Sequence, residues 1–167
     1  MNIAIVGATG NVGRKTLEIL EQKRLPIDQL FLIASPKSVG QKIIFKNKDY
    51  EVYNLETFDF SKVQITFFAA GGKISEIYAE KVAKHSIVID NSSFFRMDPD
   101  VPLVVPQVNS ESIKKMKKNI IANPNCSTAQ LVIALKPLHD LFEIERIVVS
   151  TYQSVSGGGK APMDELI

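Results

Sequence analysis

The chain of 167 residues has a single cysteine, so no disulfide can form within it, and the question about that thiol is whether it is structural or chemical. Long apolar runs are also missing. Stretches such as Ile3 to Val6 and Ile65 to Ala70 fall far short of the roughly 20 residues that cross a bilayer. Met1-Asn2 leads directly into a strand-like run without a charged leader, which predicts a cytoplasmic protein. Charge of one sign is scarce as well. Twenty Lys and Arg face 18 Asp and Glu, and a net charge of +2 gives no broad field that would gather nucleic acid or an anionic membrane. Neither is expected as a partner, nor is a metal; any preference for anions has to be local. There is no internal repeat and no low-complexity tract. What is present, 45% hydrophobic and 23% charged residues, suits one compact domain with the start of a second.

Apolar spacing sets out the elements. Asn2 to Val6 reads as a strand ending in glycine, and Asn11 to Lys23 as a helix with Val12, Leu17, Ile19 and Leu20 grouped. Leu30 to Ala34 and Gln64 to Ala70 read as strands, Ile74 to Lys84 as a helix and Ser86 to Asp90 as the next strand. This alternation predicts an α/β fold with a Rossmann-like, doubly wound parallel sheet. Gln41 to Leu55 suggests a polar hairpin turning at Lys46-Asn47-Lys48-Asp49. Val101 to Asn109, with two prolines, should be extended; Ser112 to Lys118 should be a short basic helix and Ile120 to Ala122 a strand. Beyond a boundary at Asn123-Pro124, Ser127 to Leu141 is helical with Leu131, Leu135 and Leu138 on one stripe, and the β-branched run Ile144 to Gln153 predicts a strand. Residues 1–122 are thus expected to form a dinucleotide-binding domain, and 123–167 the beginning of a second, α+β domain for catalysis and dimerisation. The last residues, Met163 to Ile167, read as the opening of a helix, so the chain is expected to stop inside an element.

Gly7-Ala8-Thr9-Gly10-Asn11-Val12-Gly13 follows the first strand and opens the first helix, the context in which a glycine pattern becomes a dinucleotide site. Gly7 should permit the tight turn, Gly10 should let backbone N–H groups approach a pyrophosphate, and Gly13 should let the helix pack closely on the sheet. An NAD site usually has an acidic residue at the end of the second strand. Here that place reads Ala34-Ser35-Pro36-Lys37-Ser38, two hydroxyls and an ammonium suited to a 2′-phosphate, which favours NADP.

Cys126, in Asn123-Pro124-Asn125-Cys126-Ser127-Thr128, should lie at the N-terminus of its helix. Backbone N–H groups and the helix dipole stabilise a thiolate there and offer donors to an oxyanion. A lone cysteine is more often a small buried hydrophobe, but its polar neighbours do not suit an apolar core.

The four motifs G-A-T-G-N-V-G, D-N-S-S-F-F-R-M-D, A-N-P-N-C-S-T-A-Q and Q-S-V-S-G-G-G-K, in this order across nearly the whole chain, resemble the aspartate-semialdehyde dehydrogenase family. The resemblance implies NADPH-dependent reductive dephosphorylation of L-aspartyl-4-phosphate, in lysine, threonine and methionine biosynthesis. It implies that Cys126 forms the acyl-thioester, with Asn125 and Gln153 in the catalytic set and Gln153 touching substrate or intermediate. It further implies that Gly7, Thr9, Gly10, Asn11, Val12 and Gly13 bind NADP with Ser35, Lys37 and Ser38, that Ser156-Gly157 approaches the nicotinamide, and that Arg96 binds the substrate phosphate. Arg96 follows a strand end, and a guanidinium holds phosphate in two-pronged fashion, so the residues agree. Alanine is usual in the family where Gly158 stands, and arginine is common at Lys37; lysine grips as a point charge rather than a fork.

The resemblance covers only the family's N-terminal half. A histidine and a substrate-binding arginine are expected from the other half, as is much of a homodimer interface, and neither His85 nor His139 suits the missing role. Two rival readings are weaker. In N-acetyl-γ-glutamyl-phosphate reductase the cysteine usually follows glycine and precedes tyrosine, unlike Asn125 and Ser127 here. A non-catalytic dinucleotide-binding protein has no need of Cys126, Arg96 and Gln153 together.

Overall fold

The computed structural model describes residues 1–166, the side chains of residues 160 and 161 excepted. Its first strand, β1 (Asn2–Val6), alternates its side chains between two faces, and the two cores follow from that alternation. Ile3 and Ile5 pack with Leu17 and Leu20 of α1 (Asn11–Gln22) and with Leu30 and Leu32 of β2 (Gln29–Ala34). Ala4 and Val6 face the other way, toward Phe68 of β5 (Ile65–Phe68), Ala79 and Val82 of α2 (Gly72–Val82), and Val88 of β6 (Ile87–Asp90). Helices on both faces of a parallel sheet make this the doubly wound α/β fold that the alternation predicts.

The sheet has seven strands in the order β3-β4-β2-β1-β5-β6-β7, where β3 is Lys42–Phe45, β4 is Lys48–Asn54 and β7 is Ile120–Ala122. All neighbours are parallel except β3 and β4. That pair is the expected hairpin, with two corrections. Its turn is the two residues Lys46 and Asn47, both at positive φ, the backbone a tight hairpin requires. It is also not simply polar, because Ile43, Phe45 and Val52 are buried and β4 joins the sheet beside β2.

Four further expectations change. Residues 102–104 run extended beside β7, with Ala122 N–H donating to Pro102 O, but Pro106 then opens a helical turn, α3 (Pro106–Asn109), since a ring without an N–H costs nothing at a helix start. The basic helix expected at Ser112 to Lys118 is a 3₁₀ turn, Ser110–Lys115. The run Ile144 to Gln153 forms no strand: it has the β-branched residues, but no strand of the described chain lies beside it to supply a ladder. The helix expected from Met163 is α5 (Lys160–Asp164), which ends where it was thought to begin; Ile167 lies outside the described residues.

The helix after β7, α4 (Cys126–Phe142), has no buried residue. Of the expected stripe Leu131, Leu135 and Leu138, the last is 48% exposed, and Leu141 and Phe142 are about three-quarters exposed. Ile147, Val148, Val149 and Tyr152 are exposed in the segment that follows. Exposed apolar side chains in this number mark a contact face. Among the described residues, no helix is long and apolar enough to cross a membrane.

A charged cluster braces the loop after β6. Lys118 Nζ lies 3.0 Å from both Glu80 and Asp98, and Asp98 also accepts the Asp100 N–H at 2.9 Å. The hydrogen bonds to Glu80 and Asp98 push Lys118 up to about 12, while the Asp100 N–H and then Lys118 hold Asp98 below its ordinary value. A carboxyl with a lowered folded pKa contributes stability that is present above its unfolded pKa, near 4, and lost as the pH falls through the folded value. Asp98→Asn should therefore flatten the loss of stability below about pH 4. Urea midpoints measured from pH 5 to pH 2 check this; an acid limb as steep as in the parent would contradict it.

Candidate functional site

The chemistry-bearing residues lie where the strands of the sheet end, the edge at which open α/β sheets bind ligands. Gly7 follows β1 at φ +85°, and a Cβ there would stand 2.6 Å from the Ala69 carbonyl oxygen. Its N–H and that of Ala8 both donate to Ile33 O, at 2.8 and 3.2 Å, tying the turn to the end of β2. Gly13 is the tightest position: a Cβ would stand 2.2 Å from Gly7 O and 2.8 Å from Ala8 Cα. The close approach is thus between α1 and the turn's own backbone. Gly10 precedes α1 and donates its N–H to Gly7 O at 3.0 Å, so that amide closes the turn. No acidic residue lies in the first turn of α1, which leaves the positive end of the helix open to an anion. Thr9 is half-buried, while Asn11 and Val12 are exposed. Arg14, which the sequence pattern did not single out, donates from Nε to Thr9 O at 3.2 Å and brings a cation beside the turn.

After β2, Ser35 leads into a 3₁₀ turn, Pro36–Ser38. Lys37 is exposed and makes no ion pair among the described residues.

At the ends of β6 and β7, Arg96 is half-buried and held by two backbone carbonyls: Nε donates to Asn123 O at 2.9 Å and Nη2 to Asn91 O at 3.1 Å. The Asn123 side chain in turn donates to Asn91 Oδ1 at 2.5 Å. Neither asparagine was singled out for this purpose. The signal was the polar pair that follows two apolar strands, Asp90-Asn91 and Asn123.

Three residues past Asn123, Cys126 is the first residue of α4 and exposed. Asn125 caps that helix, its carboxamide oxygen accepting the Ser127 N–H at 3.0 Å and the Ser127 hydroxyl at 2.6 Å. The Cys126 Sγ lies 3.7 Å from Asn125 Oδ1 and 3.9 Å from Gln153 Oε1. Gln153 therefore reaches the thiol although the strand expected to carry it is absent. Downstream, Ser154 accepts the Ser156 N–H and caps a 3₁₀ turn, Val155–Gly158. Met163 Sδ then accepts from Asn11 Nδ2 at 3.4 Å. The ten residues after Gln153 thus run from the thiol to the first residue of α1. Gly157 has open space around it, whereas a Cβ on Gly158 would meet Pro162 Cγ at 3.0 Å.

Two shallow cavities, of about 300 and 340 Å³, flank Phe58 instead; neither is lined by a residue of this site. Among the described residues, no group of His, Cys, Asp and Glu is placed to hold a metal ion.

Comparison with known proteins agrees with this geometry. The family model described as semialdehyde dehydrogenase, NAD binding domain, matches residues 2–116, and that described as semialdehyde dehydrogenase, dimerisation domain, matches residues 135–167. Aspartate-semialdehyde dehydrogenase 2 of Vibrio cholerae is 54% identical over 99% of this chain and 50% of its own length. The crystal structure of aspartate semialdehyde dehydrogenase II of Vibrio cholerae complexed with ASA superposes with a TM-score of 0.95 at 53% identity, over 99% of this chain and 50% of that one. That of the Candida albicans enzyme with NADP does so with a TM-score of 0.67 at 28% identity, over 84% and 47%. The chain spans about half the length of the curated relatives it matches. It carries an NAD(P)-binding domain and belongs to the semialdehyde dehydrogenase family.

Proposed function

We propose that this chain is the cofactor-binding and nucleophile-bearing half of an NADP-dependent aspartate-semialdehyde dehydrogenase, converting L-aspartyl-4-phosphate to the semialdehyde in lysine, threonine and methionine biosynthesis. The observation that carries this reading is one short segment. Residues 153–163 touch Cys126 at one end and the glycine turn at the other, so a thiol and a dinucleotide site face one substrate.

The division of labour falls at Ala122. Residues 1–122 contain all seven strands and bind the cofactor, and residues 123–167 open the catalytic and dimerisation domain. A dinucleotide suits the first part: Gly7 and Gly13 form a cradle that a Cβ would fill, and the first turn of α1 has no carboxylate to repel a pyrophosphate. Gly7, Thr9, Gly10, Asn11, Val12 and Gly13 line it; Ser35, Lys37 and Ser38 take the 2′-phosphate, so NADP is preferred to NAD; and Ser156-Gly157 lies along the nicotinamide. When bound, that cofactor supplies the hydride.

The Cys126 thiolate attacks the acyl carbon of the substrate, the carbon–oxygen bond to phosphate breaks, and the leaving phosphate is received by Arg96. Reduction of the Cys126 thioester gives a thiohemiacetal on the same sulfur, whose collapse frees the aldehyde and the thiol. Gln153 and Asn125 hold polar groups at the sulfur while the N-terminus of α4 stabilises each oxyanion. The histidine that moves the proton and the arginine that binds the substrate carboxylate come from sequence beyond this chain. The exposed apolar surface of α4 and residues 147–152 packs against that remainder and, in a homodimer, against a second copy. The protein works in the cytoplasm.

The test is the reverse reaction, NADP reduction by aspartate semialdehyde and phosphate, catalysed by the enzyme at the length of its relatives. Phosphate-dependent turnover with NADP well above NAD is expected, and Lys37→Ala should raise the KM for NADP about tenfold while leaving that for NAD unchanged, since only NADP has a charge for the ammonium to lose. Turnover that ignores phosphate would remove the reaction; equal loss with both cofactors would remove Lys37 from the 2′-phosphate.

A further inference from the structure

We propose that the buried Asp90 is the positioning residue for Arg96. Asp90 is the last residue of β6 and is fully buried. A carboxylate in the interior is costly unless its oxygens find donors, and an apolar residue there would hold the sheet as well or better. Its donors show what it organises. Ser75 of α2 donates its hydroxyl to Oδ1 at 2.7 Å, while Ser92 donates its N–H to Oδ1 at 3.1 Å and its hydroxyl to Oδ2 at 2.7 Å. No cation pairs with Asp90 among the described residues.

Two of the three hydrogen bonds close the chain on itself between residues 90 and 92. Ser92 Oγ passes the bend on by accepting the Phe94 N–H at 3.1 Å, and the next residue, Phe95, is buried in the core. The bend aims the Asn91 carbonyl back at Arg96 Nη2. The second anchor hangs from the same residue, because Asn123, whose carbonyl receives Arg96 Nε, donates its own N–H to Asp90 O at 2.8 Å. The Asn91 carbonyl is therefore placed by the Asp90 side chain, through the bend it holds, while the Asn123 carbonyl is placed by the main-chain oxygen of residue 90, a bond any residue there would accept. With Nε and Nη2 engaged, the remaining N–H donors of Arg96 are left for an anion. Ser75 ties the same carboxylate only to α2, so it supports the fold without steering the loop.

The purpose of this arrangement rests on the reading of Arg96 as the phosphate ligand, but the arrangement itself does not, and two readouts separate them. Solvent exchange of the Arg96 Nε–H, followed by nitrogen-15 NMR in this chain, reports the positioning; the affinity for inorganic phosphate, with Arg96→Ala as control, reports the ligand. Ser92→Ala and Asp90→Ala should speed that exchange about tenfold, the worth of a lost hydrogen bond or two, and weaken phosphate binding to a similar degree with NADP affinity unchanged. Asp90→Asn, whose carbonyl oxygen still accepts the Ser75 hydroxyl and the Ser92 N–H and whose NH2 donates to a reversed Ser92 hydroxyl, should restore slow exchange. Ser75→Ala should lower the melting temperature while leaving exchange and phosphate binding as they were. Slow exchange surviving Ser92→Ala, or Ser75→Ala accelerating it equally, overturns the inference. Exchange that responds as expected while Arg96→Ala binds phosphate unchanged upholds the positioning and removes the phosphate role from Arg96.

Discussion

In the proposed enzyme, at the length of its relatives, replacing Cys126 with alanine is expected to lower phosphate-dependent NADPH formation from aspartate semialdehyde by about 10⁴-fold or more, the loss typical when a covalent nucleophile is removed. The substitution takes away one exposed sulfur whose contacts, at 3.7 and 3.9 Å to Asn125 and Gln153, are too weak to matter to the fold. The cap that starts α4 is made by the side chain of Asn125 with Ser127 and does not involve the thiol. Stability should therefore change by less than about 0.5 kcal/mol, as for ordinary surface substitutions, and NADP affinity should not change. Glycine turn and thiol follow different strands of the sheet, β1 and β7, so chemistry can be lost while binding is kept. No other cysteine is present to substitute. Turnover by Cys126→Ala within tenfold of the parent would remove the thioester from the mechanism, and NADP binding lost along with turnover would mean that the two parts are not separable.

How far the sequence foretold this structure depends on what each segment leans on. Strands β1, β2, β5 and β6 and helices α1 and α2 were legible because their hydrophobic spacing is answered within the chain, by the two cores on either side of β1. The run Ile144 to Gln153 has equally strong residues for a strand and became none. Propensity there describes a surface that fits a ladder, and the described chain offers no ladder at that place. The stripe on α4 was legible as apolar spacing, yet its burial was not, since spacing says which face seeks a partner without saying where the partner is. At the site, Cys126 stood out by residue type and neighbours, and Arg96 and Gln153 through the family resemblance. The groups around Arg96 did not: backbone carbonyls of Asn91 and Asn123, and a carboxylate at the end of an apolar strand, become informative only when contacts can be seen. Gly10 illustrates a subtler limit. The pattern marks it correctly as part of the turn, but its N–H is committed to Gly7 O rather than offered to a ligand.

Gly13→Ala should be among the most damaging small substitutions in the chain. Two effects oppose each other. Alanine is favoured over glycine in a helix by about 1 kcal/mol, and Gly13 lies inside α1. Against this, the new Cβ would stand 2.2 Å from Gly7 O, 2.9 Å from Gly7 C and 2.8 Å from Ala8 Cα, all backbone atoms that cannot rotate away. Gly7 itself cannot retreat, because its N–H is bonded to Ile33 O and its Cα side is crowded by Ala69 and Ala70. Relief has to come from lifting α1 off the turn, which disturbs Leu17 and Leu20 in the core beneath it. The steric effect should win, with a net loss of about 2–3 kcal/mol, the upper range for overpacking, and a melting temperature lower by roughly 5–10 °C. NADP affinity should fall with it, since the proposed pyrophosphate site is the N-terminus of α1, which would have moved. Gly157→Ala supplies the comparison: nothing lies within 4 Å of the added carbon and φ is not positive, so stability should stay within about 0.5 kcal/mol. If Gly13→Ala melts and binds NADP like the parent, contact between α1 and the glycine turn is not what this glycine is for.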